Sequence, residues 1–272
     1  MVDLITQWWI AYLAVGILVG FFAGLLGVGG GTLLVPLMVF LFTAQDFAIE
    51  RILHLAIGTS LASIVFTSLS SIRAHHARKA ILWPVVKQSS GYLMAGTFLG
   101  SFFAESLNPT FLAGLFVLFT GYASSQLFLD LKPKSSRNLP KSIGMGIGSG
   151  CVGIISSLVG IGGGVITIPL MVMHNIPMRN AIGISAALGF PIALAGTLGY
   201  VWNGWGNTHL PSFSVGYVYL PALVGIVIGT FMTVPLGAKV AHSIPVPALK
   251  KIFALILMFL AIDMFVKIFM PG

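Results

Sequence analysis

Apolar residues along this chain form eight long stretches separated by short polar segments. Six of the eight have the ~20 residues that cross a bilayer once as a helix. The first and fifth are longer, and as straight helices they would measure roughly 50 Å against a hydrocarbon core of ~30 Å. The stretches are Trp8–Phe42, Ile52–Ile72, Ile81–Phe103, Phe111–Leu131, Ile143–Met173, Ala181–Trp202, Val215–Leu236 and Ile252–Met270. This pattern predicts an all-α polytopic membrane protein.

Composition agrees with this class, because 57% of the residues are hydrophobic and only 7% are charged, against about 25% charged in soluble domains. The net charge of +8 comes from short basic clusters between apolar stretches. Such clusters are typical of topology signals and lipid-headgroup contacts, so we expect no nucleic-acid partner. The single cysteine, Cys151, excludes an internal disulfide framework. No Lys or Arg precedes the first apolar stretch, which is therefore predicted to be a membrane segment and not a cleavable signal peptide.

A seventeen-residue segment with three consecutive glycines occurs twice in the chain. Residues 23–39 read AGLLGVGGGTLLVPLMV and residues 156–172 read SSLVGIGGGVITIPLMV, with nine of seventeen positions identical at an offset of 133. This indicates an internal duplication. Each glycine costs a helix interior roughly 1 kcal/mol and each proline roughly 3 kcal/mol, so both long stretches are predicted to break here. Broken helices deep in an apolar stretch are typical of transporter sites.

Two further motif pairs follow in the same order. AIGTS at residues 56–60 recurs as AIGIS at 181–185, and GTFLGS at 96–101 recurs as GIVIGT at 225–230. The chain is therefore divided into a first membrane repeat (1–131), a basic cytoplasmic linker (132–141) and a second membrane repeat (142–272). The glycines four residues apart in the last motif pair predict close helix crossings.

The basic residues favour a topology in which both broken stretches return to the side from which they enter, as re-entrant or hairpin-like helices. Twelve of the fourteen Lys and Arg residues then lie in the cytoplasm and only Arg51 and Lys267 lie outside, whereas eight single crossings leave nine inside. The two repeats, of about four spans each, are then inverted relative to one another. Both termini and the loop at residues 203–212 are predicted to lie outside an inner (plasma) membrane.

The triple glycines form the predicted substrate site. A break frees backbone N–H groups at a positive helix end, and glycine lets an oxyanion approach the main chain closely. The hydroxyls of the AIG motifs are candidates for further ligand bonds. The structural alternatives are helix packing by the glycines and bonds from the hydroxyls to their own helix. The predicted substrate-binding residues are Gly29, Gly30, Gly31, Thr32, Thr59, Ser60, Gly162, Gly163, Gly164 and Ser185.

Three charged or titratable residues are candidates for anion attraction or for binding a coupling ion, a proton or sodium. Asp263 has apolar neighbours on both sides, and His54 stands at the head of the second span. Arg179 lies just before the second AIG motif. For Asp263 and Arg179 the alternative is a position at the lipid headgroups.

Two other classes of membrane protein share features with this chain. GISA at residues 183–186 has the GxS form of some intramembrane serine proteases. No histidine is predicted within a later span to act as base, because His209 and His242 are predicted to lie in loops. A channel is the second alternative, although a potassium filter of the TVGYG type is missing. We therefore expect a transporter that is not an enzyme, with no catalytic residues, no metal site and no cofactor.

Taken together, these motifs resemble the TauE/SafE family of sulfite exporters and anion permeases, whose members contain a duplicated four-span unit. The resemblance rests on GLLGVGGGTLLVPLM and SLVGIGGGVITIPLM, on AIGTS followed by HHARKAILW, and on GTFLGS with GIVIGT. It implies alternating-access transport of a small sulfur-containing anion, such as sulfite or sulfoacetate, across the inner membrane. The expected partners are this anion and the lipid bilayer. One departure is Ile184, which stands where the first AIG motif has Thr59.

Overall fold

Ten helices and one strand pair make up the described part of the computed structural model, which covers residues 2–26, 30–129, 142–240 and 246–269. The first five helices are α1 (Val2–Leu26), α2 (Gly31–Ala44), α3 (Ile49–Ala77), α4 (Trp83–Ser106) and α5 (Pro109–Phe128). The second five are α6 (Ser142–Val159), α7 (Gly164–Met173), α8 (Met178–Gly204), α9 (Leu220–Val240) and α10 (Val246–Phe269). Strands β1 (Ser214–Val215) and β2 (Val218–Tyr219) pair antiparallel between α8 and α9. The predicted linker at 132–141 lies outside the described residues.

The described helices have the length and surface of membrane spans. Four of them are long and apolar enough to cross a bilayer, namely α3, α5, α8 and the described part of α9. Large apolar side chains such as Leu99, Leu118 and Phe259 point outwards from α4, α5 and α10. An outer surface of this kind suits lipid rather than water. α3 and α8 are mostly buried and pack against each other in the core, which is consistent with the predicted all-α membrane protein.

Both long apolar stretches are divided into two helices at their glycines. α1 ends at Leu26 and α2 begins at Gly31, while α6 ends at Val159 and α7 begins at Gly164. Gly30 and Gly163 precede the second helices with φ of +69° and +78°. These left-handed values cost other residues roughly 1–2 kcal/mol and glycine almost nothing.

The prolines of the repeated segment do not end a helix. Pro36 lies inside α2 and Pro169 inside α7, although the sequence pattern predicted that they contribute to the break. Each proline lacks the N–H that would close a turn onto the carbonyl four residues earlier, that of Thr32 or Val165. The prolines therefore leave further backbone oxygens without a helical donor just beyond each break.

Hydrogen bonds identify the two ends of the bundle. At one, which we call the α8–α9 end, Arg51 from the start of α3 contacts Glu105 near the end of α4 and Tyr217 of the α8–α9 connection. At the other, the α3–α4 end, Arg179 donates to the backbone oxygen of Arg78. The start of α3, the end of α4 and the α8–α9 connection therefore lie at one end of the bundle. The end of α3 and the start of α8 lie at the other.

Each divided stretch returns to the end of the bundle from which it starts. The hydroxyl of Tyr12 in α1 donates to Oε1 of Gln45, the residue after α2, at 2.7 Å, and Tyr12 also packs on Tyr219 at the α8–α9 end. Gly144 near the start of α6 and His174 just after α7 line one cavity together with Ser89 near the start of α4. Residues of α1 and the end of α2 therefore meet near the α8–α9 end, whereas the start of α6 and the end of α7 meet near the α3–α4 end.

The first helix of each half packs along the fourth helix of the other half, α1 against α9 and α6 against α4. A Cβ at Gly96 in α4 would overlap the backbone oxygen of Gly150 in α6. In α9, a Cβ at Gly225 would lie 2.7 Å from Cβ of Tyr12 in α1. The predicted close crossings at these glycines are confirmed, and their partners are the first helices of the opposite half.

The seventh span begins later than its sequence pattern predicted. The apolar stretch starts at Val215, but α9 starts at Leu220 because residues 214–219 form the β-hairpin. Gly216 in the hairpin turn has φ of +53°, and a Cβ there would overlap the backbone of Val201 in α8. The hairpin is therefore seated on α8 before α9 enters the bundle.

The crossing between α4 and α6 can be tested by alanine substitution. Gly96→Ala is expected to lower the free energy of unfolding by about 1–3 kcal/mol, because the added methyl group overpacks the contact with Gly150. Gly91→Ala on the same helix is the control, since nothing lies within 4 Å of a Cβ there. Thermal unfolding of the purified variants measures the difference. Equal melting temperatures would contradict the close crossing.

Candidate functional site

The two helix breaks lie against each other inside the bundle. A Cβ added to Gly31, the first residue of α2, would lie 2.8 Å from the backbone oxygen of Gly160 and 3.2 Å from Cα of Ile161. A Cβ on Gly160 would meet Cγ2 of Val35 in α2 at 2.8 Å. The structure thus places Gly31, a predicted site residue of the first half, against Gly160 and Ile161 at the break of the second half.

The amino ends of α2 and α7 both open onto this region. The N–H of Leu34 donates to the oxygen of Gly30 at 3.1 Å, and the N–H of Thr167 donates to the oxygen of Gly163 at 2.7 Å. The N–H groups at the very start of each helix have no acceptor within that helix. They carry the positive end of the helix dipole, which stabilises a nearby anion by about 0.3–1 kcal/mol. An oxyanion placed here would use both the N–H groups and the dipole.

Several predicted site residues around the breaks are buried. Gly162 and Gly164 flank Gly163 and are buried with it, whereas Gly29 lies outside the described residues. Thr32 in the first turn of α2 is 1% exposed, and its hydroxyl has no hydrogen-bond partner in the described structure. A buried hydroxyl without a partner costs about 1–3 kcal/mol, so Thr32 is suited to bind a polar ligand.

The serines of the two AIG motifs have different surroundings. Ser60 in α3 donates to the backbone oxygen of Gly160 at 3.0 Å and so fastens α3 to the second break. Ser185 in α8 is buried, and no described residue, histidine included, forms a hydrogen bond with its hydroxyl. The residue that corresponds to Gly160 in the first break is Gly27, which lies outside the described residues. Ser60 therefore supports the site through the backbone, and Ser185 remains a candidate ligand residue.

Thr59 forms a bond that stabilises the fold. Its fully buried hydroxyl accepts a hydrogen bond from the backbone N–H of Tyr219 at 3.0 Å. A Cβ on the neighbouring Gly58 would overlap the backbone oxygen of Tyr217. The first AIG motif thereby holds the β-hairpin against α3, which is a structural use of a residue predicted to bind substrate.

The three charged candidates lie apart from one another. Arg179 is exposed at the α3–α4 end, where it donates to the backbone oxygen of Arg78. Asp263 is partly buried in α10, which packs on α5. His54 is 2% exposed and lies at the α8–α9 end of α3.

His54 belongs to a polar cluster that the sequence pattern did not reveal. Nη1 of Arg51 lies 2.9 Å from Oε1 of Glu105 and 2.7 Å from the hydroxyl of Tyr217, which donates to the same carboxylate oxygen at 3.0 Å. Nε2 of His54 lies 3.7 Å from Oε2 of Glu105 and 3.3 Å from the backbone oxygen of Ala104. The cluster ties the start of α3, the end of α4 and the α8–α9 connection together.

Tyr217 keeps its role as a hydrogen-bond donor in this cluster. Burial, followed by the nearby Glu105 carboxylate, raises the pKa of Tyr217 to about 12, so its phenol remains a donor at physiological pH. Arg51 and Glu105 are each about one third exposed, and ion pairs with that much solvent contribute little stability on their own. In the sequence, Arg51 and Glu105 are only two charged residues near the ends of predicted spans. The fold shows that the start of α3 and the end of α4 lie side by side.

A cavity of about 70 Å³ leads from the α3–α4 end towards the second break. A single water needs about 10–15 Å³ by the same measure, so the cavity can hold a small oxyanion or several waters. Its polar lining comes from Ser89, Ser149, Thr167 and His174, none of which the sequence analysis singled out. His174 bonds through Nδ1 to the backbone oxygen of Leu170 at 2.7 Å. Within the described residues, no three His, Cys, Asp or Glu side chains are grouped as metal ligands would be.

Comparison with models of protein families shows which family the chain belongs to. A family model described as sulfite exporter TauE/SafE matches residues 12–264, which is most of the sequence. The chain belongs to the TauE/SafE family. This result confirms the resemblance found in the glycine repeats and identifies the bundle as a membrane transporter of that family.

Relatives of the chain within the family carry general transporter names. A probable membrane transporter protein of Haemophilus influenzae is 38% identical over 94% of this chain and 97% of its own length. The probable membrane transporter protein YdhB of Bacillus subtilis is 30% identical over 86% and 90% of the two chains. A probable membrane transporter protein of Methanocaldococcus jannaschii is 29% identical over 85% of both. No solved structure matches the chain.

The structural use of Thr59 leads to a testable difference between two substitutions. Thr59→Val is expected to lower the free energy of unfolding by about 1–3 kcal/mol, because the buried N–H of Tyr219 loses its acceptor. Thr59→Ser keeps the hydroxyl and is the matched control. Thermal unfolding and sulfite affinity of the folded fraction are the measurements. If Thr59→Val kept normal stability but bound sulfite at least tenfold more weakly, Thr59 would instead be a ligand-binding residue.

Proposed function

We propose that this TauE/SafE protein is a secondary carrier for a small sulfur-containing anion, such as sulfite or an organosulfonate of the sulfoacetate type. The observation that carries the proposal is the contact between the two helix breaks inside an apolar bundle, where Gly31 at the start of α2 lies against Gly160, which follows α6. The family description, sulfite exporter, supports the class of cargo. Transport requires no covalent chemistry, and a proton or sodium ion is the expected coupling ion.

The chemistry of the breaks suits an oxyanion. Moving an anion out of water is costly unless hydrogen-bond donors replace its hydration. Backbone N–H groups at two helix ends can bond several oxygens at once, and bonds to a charged acceptor are stronger than neutral ones. The unpaired hydroxyls of Thr32 and Ser185 add donors from both halves of the chain.

The packing supports two inverted repeats that operate by alternating access. The α1–α2 and α6–α7 pairs meet near opposite ends of the bundle and contact corresponding helices of the other half, α9 and α4, as inverted repeats would. The cavity at the α3–α4 end is lined by Ser89 and Leu93 of α4 together with residues of α6, α7 and α8. At an offset of 133, its lining residue Met145 corresponds to Tyr12 of the first half.

Aromatic rings fill the corresponding region at the α8–α9 end. Tyr219 packs on Tyr12, Phe42 and Phe47 with ring centroids 6.2, 5.7 and 5.3 Å apart. These rings pack against one another at the α8–α9 end, whereas the cavity beside the second break lies at the α3–α4 end. A carrier that works by alternating access opens its site to one side of the membrane at a time.

Flux through proteoliposomes tests the proposed cargo and mechanism. Labelled sulfite and sulfoacetate are expected to enter saturably and to show counterflow, with labelled chloride and protein-free liposomes as controls. A carrier saturates because each cycle needs substrate to bind. Flux that rises linearly with concentration and lacks counterflow would assign a channel-like anion pathway instead. No saturable uptake of either sulfur anion would refute the proposal.

The membrane topology can be tested separately from the cargo. We propose an inner-membrane location with both termini and the α8–α9 end outside, because basic residues concentrate at the other end. In a Cys151→Ala background, an impermeant thiol reagent should label Ser212→Cys in intact cells and Lys79→Cys only after permeabilisation. Both positions are exposed, so burial does not confound the comparison. Equal labelling in intact cells would exclude the inverted arrangement.

A further inference from the structure

The two breaks share a backbone geometry but differ in the chemistry around it. An offset of 133 pairs Gly30 with Gly163, and both have left-handed φ. A Cβ on Gly30 would meet Cγ1 of Val19 at 2.8 Å and Cβ of Ala23 at 3.3 Å, which are apolar neighbours. The third neighbour is the backbone oxygen of Val19 at 3.7 Å, so no side-chain hydroxyl is among the three atoms nearest to this position.

At the second break, hydroxyl oxygens stand at the equivalent positions. A Cβ on Gly163 would meet Oγ1 of Thr167 at 3.2 Å and Oγ of Ser156 at 3.8 Å, besides Cδ1 of Ile192 at 2.7 Å. At the same offset, Ser156 corresponds to Ala23 and Thr167 to Leu34. The duplication has kept the fold of both breaks, but the second carries these two hydroxyls and the first carries that of Thr32, which corresponds to Val165.

The hydroxyl of Ser156 does not contribute a hydrogen bond to the described part of the fold. Ser156 is 1% exposed, and its Oγ has no hydrogen-bond partner in the described structure. Buried serines of a helix usually bond a carbonyl of the preceding turn, and the adjacent Ser157 does so with the oxygen of Ile154 at 2.8 Å. Because Ser156 lacks this bond next to a helix amino end, its hydroxyl is available to a ligand.

The cavity from the α3–α4 end reaches Thr167 and comes within one helical turn of Ser156. Thr167 lines the cavity together with Val152 of α6. Ser156 lies one helical turn beyond Val152, on the same face of α6. A second buried hydroxyl without a described partner, that of Ser89, lies along the same cavity.

We propose that the transported oxyanion binds at the second break, with Ser156 and Thr167 donating to its oxygens beside the backbone N–H groups at the start of α7. Gly30 of the first break, which has no side-chain hydroxyl beside it, then serves to shape the bundle. This assignment rests on the proposed function, because it names the subsite of the same carrier. The ligand class is a sulfur oxyanion with at least two acceptor oxygens, which sulfite and sulfonates share.

Substitution of the two hydroxyl residues tests the subsite. Ser156→Ala and Thr167→Val are expected to weaken binding of labelled sulfite and sulfoacetate at least tenfold, measured as saturation of uptake into proteoliposomes and as equilibrium binding to purified protein. Thr167→Ser should restore the affinity. Ser157→Ala is the matched control, because its hydroxyl is bonded to its own helix, and it should bind normally. Thr167→Val against Thr167→Ser decides the question if Ser156→Ala does not fold.

A second comparison tests whether the first break takes part. Gly30→Ala and Gly163→Ala introduce the same strain at left-handed positions, but only Gly163→Ala should weaken binding in the folded fraction. The subsite would be refuted if Ser156→Ala and Thr167→Val bound with normal affinity, or if the two glycine variants lost equal affinity. In either case, transport of sulfur anions by the wild-type protein would still support the carrier. Failure of the wild-type protein to bind or transport either anion would overturn the carrier and this subsite together.

Discussion

The fold depends on how it satisfies backbone groups that two interrupted helices expose in an apolar interior. In hydrocarbon, each unpaired N–H or C=O costs several kcal/mol because no water can replace the lost partner. The two interruptions are placed against each other, with Gly31 beside Gly160, and α3 supplies the hydroxyl of Ser60 to the oxygen of Gly160. This arrangement requires α3 and α8 to lie in the centre, so that both breaks are enclosed by protein and not by lipid.

The contacts between the halves constrain how such a carrier can move. α1 packs closely against α9, and α6 packs closely against α4, at glycines where no side chain would fit. Contacts this close transmit displacement, because packed helices resist separation. The units that move as bodies would therefore combine helices from both repeats. Rocking of one sequence half against the other would have to break both crossings, whereas sliding of the mixed units keeps them intact.

Sequence patterns predicted the helical class, the position of both breaks and the close glycine crossings, because each depends on local composition and spacing. They could not place the start of α9, since the β-hairpin residues Val215 to Tyr219 are as apolar as a span. The contact of Arg51 with Glu105 joins residues whose proximity exists only once α3 and α4 are paired. Thr59 shows a different limit, because a hydroxyl that binds a ligand and one that anchors Tyr219 look the same in sequence.

Chemical asymmetry at the centre of a duplicated fold has an electrostatic reason. Two anions bound about 8 Å apart at an effective dielectric constant of ~20 would repel each other by roughly 2 kcal/mol. The breaks lie in contact, so two equivalent oxyanion sites would weaken each other by more than tenfold. A single subsite beside Ser156 and Thr167, as we propose, would avoid this repulsion. Both helix dipoles can then act on a single bound anion, which gains from the second amino end without a competing charge beside it.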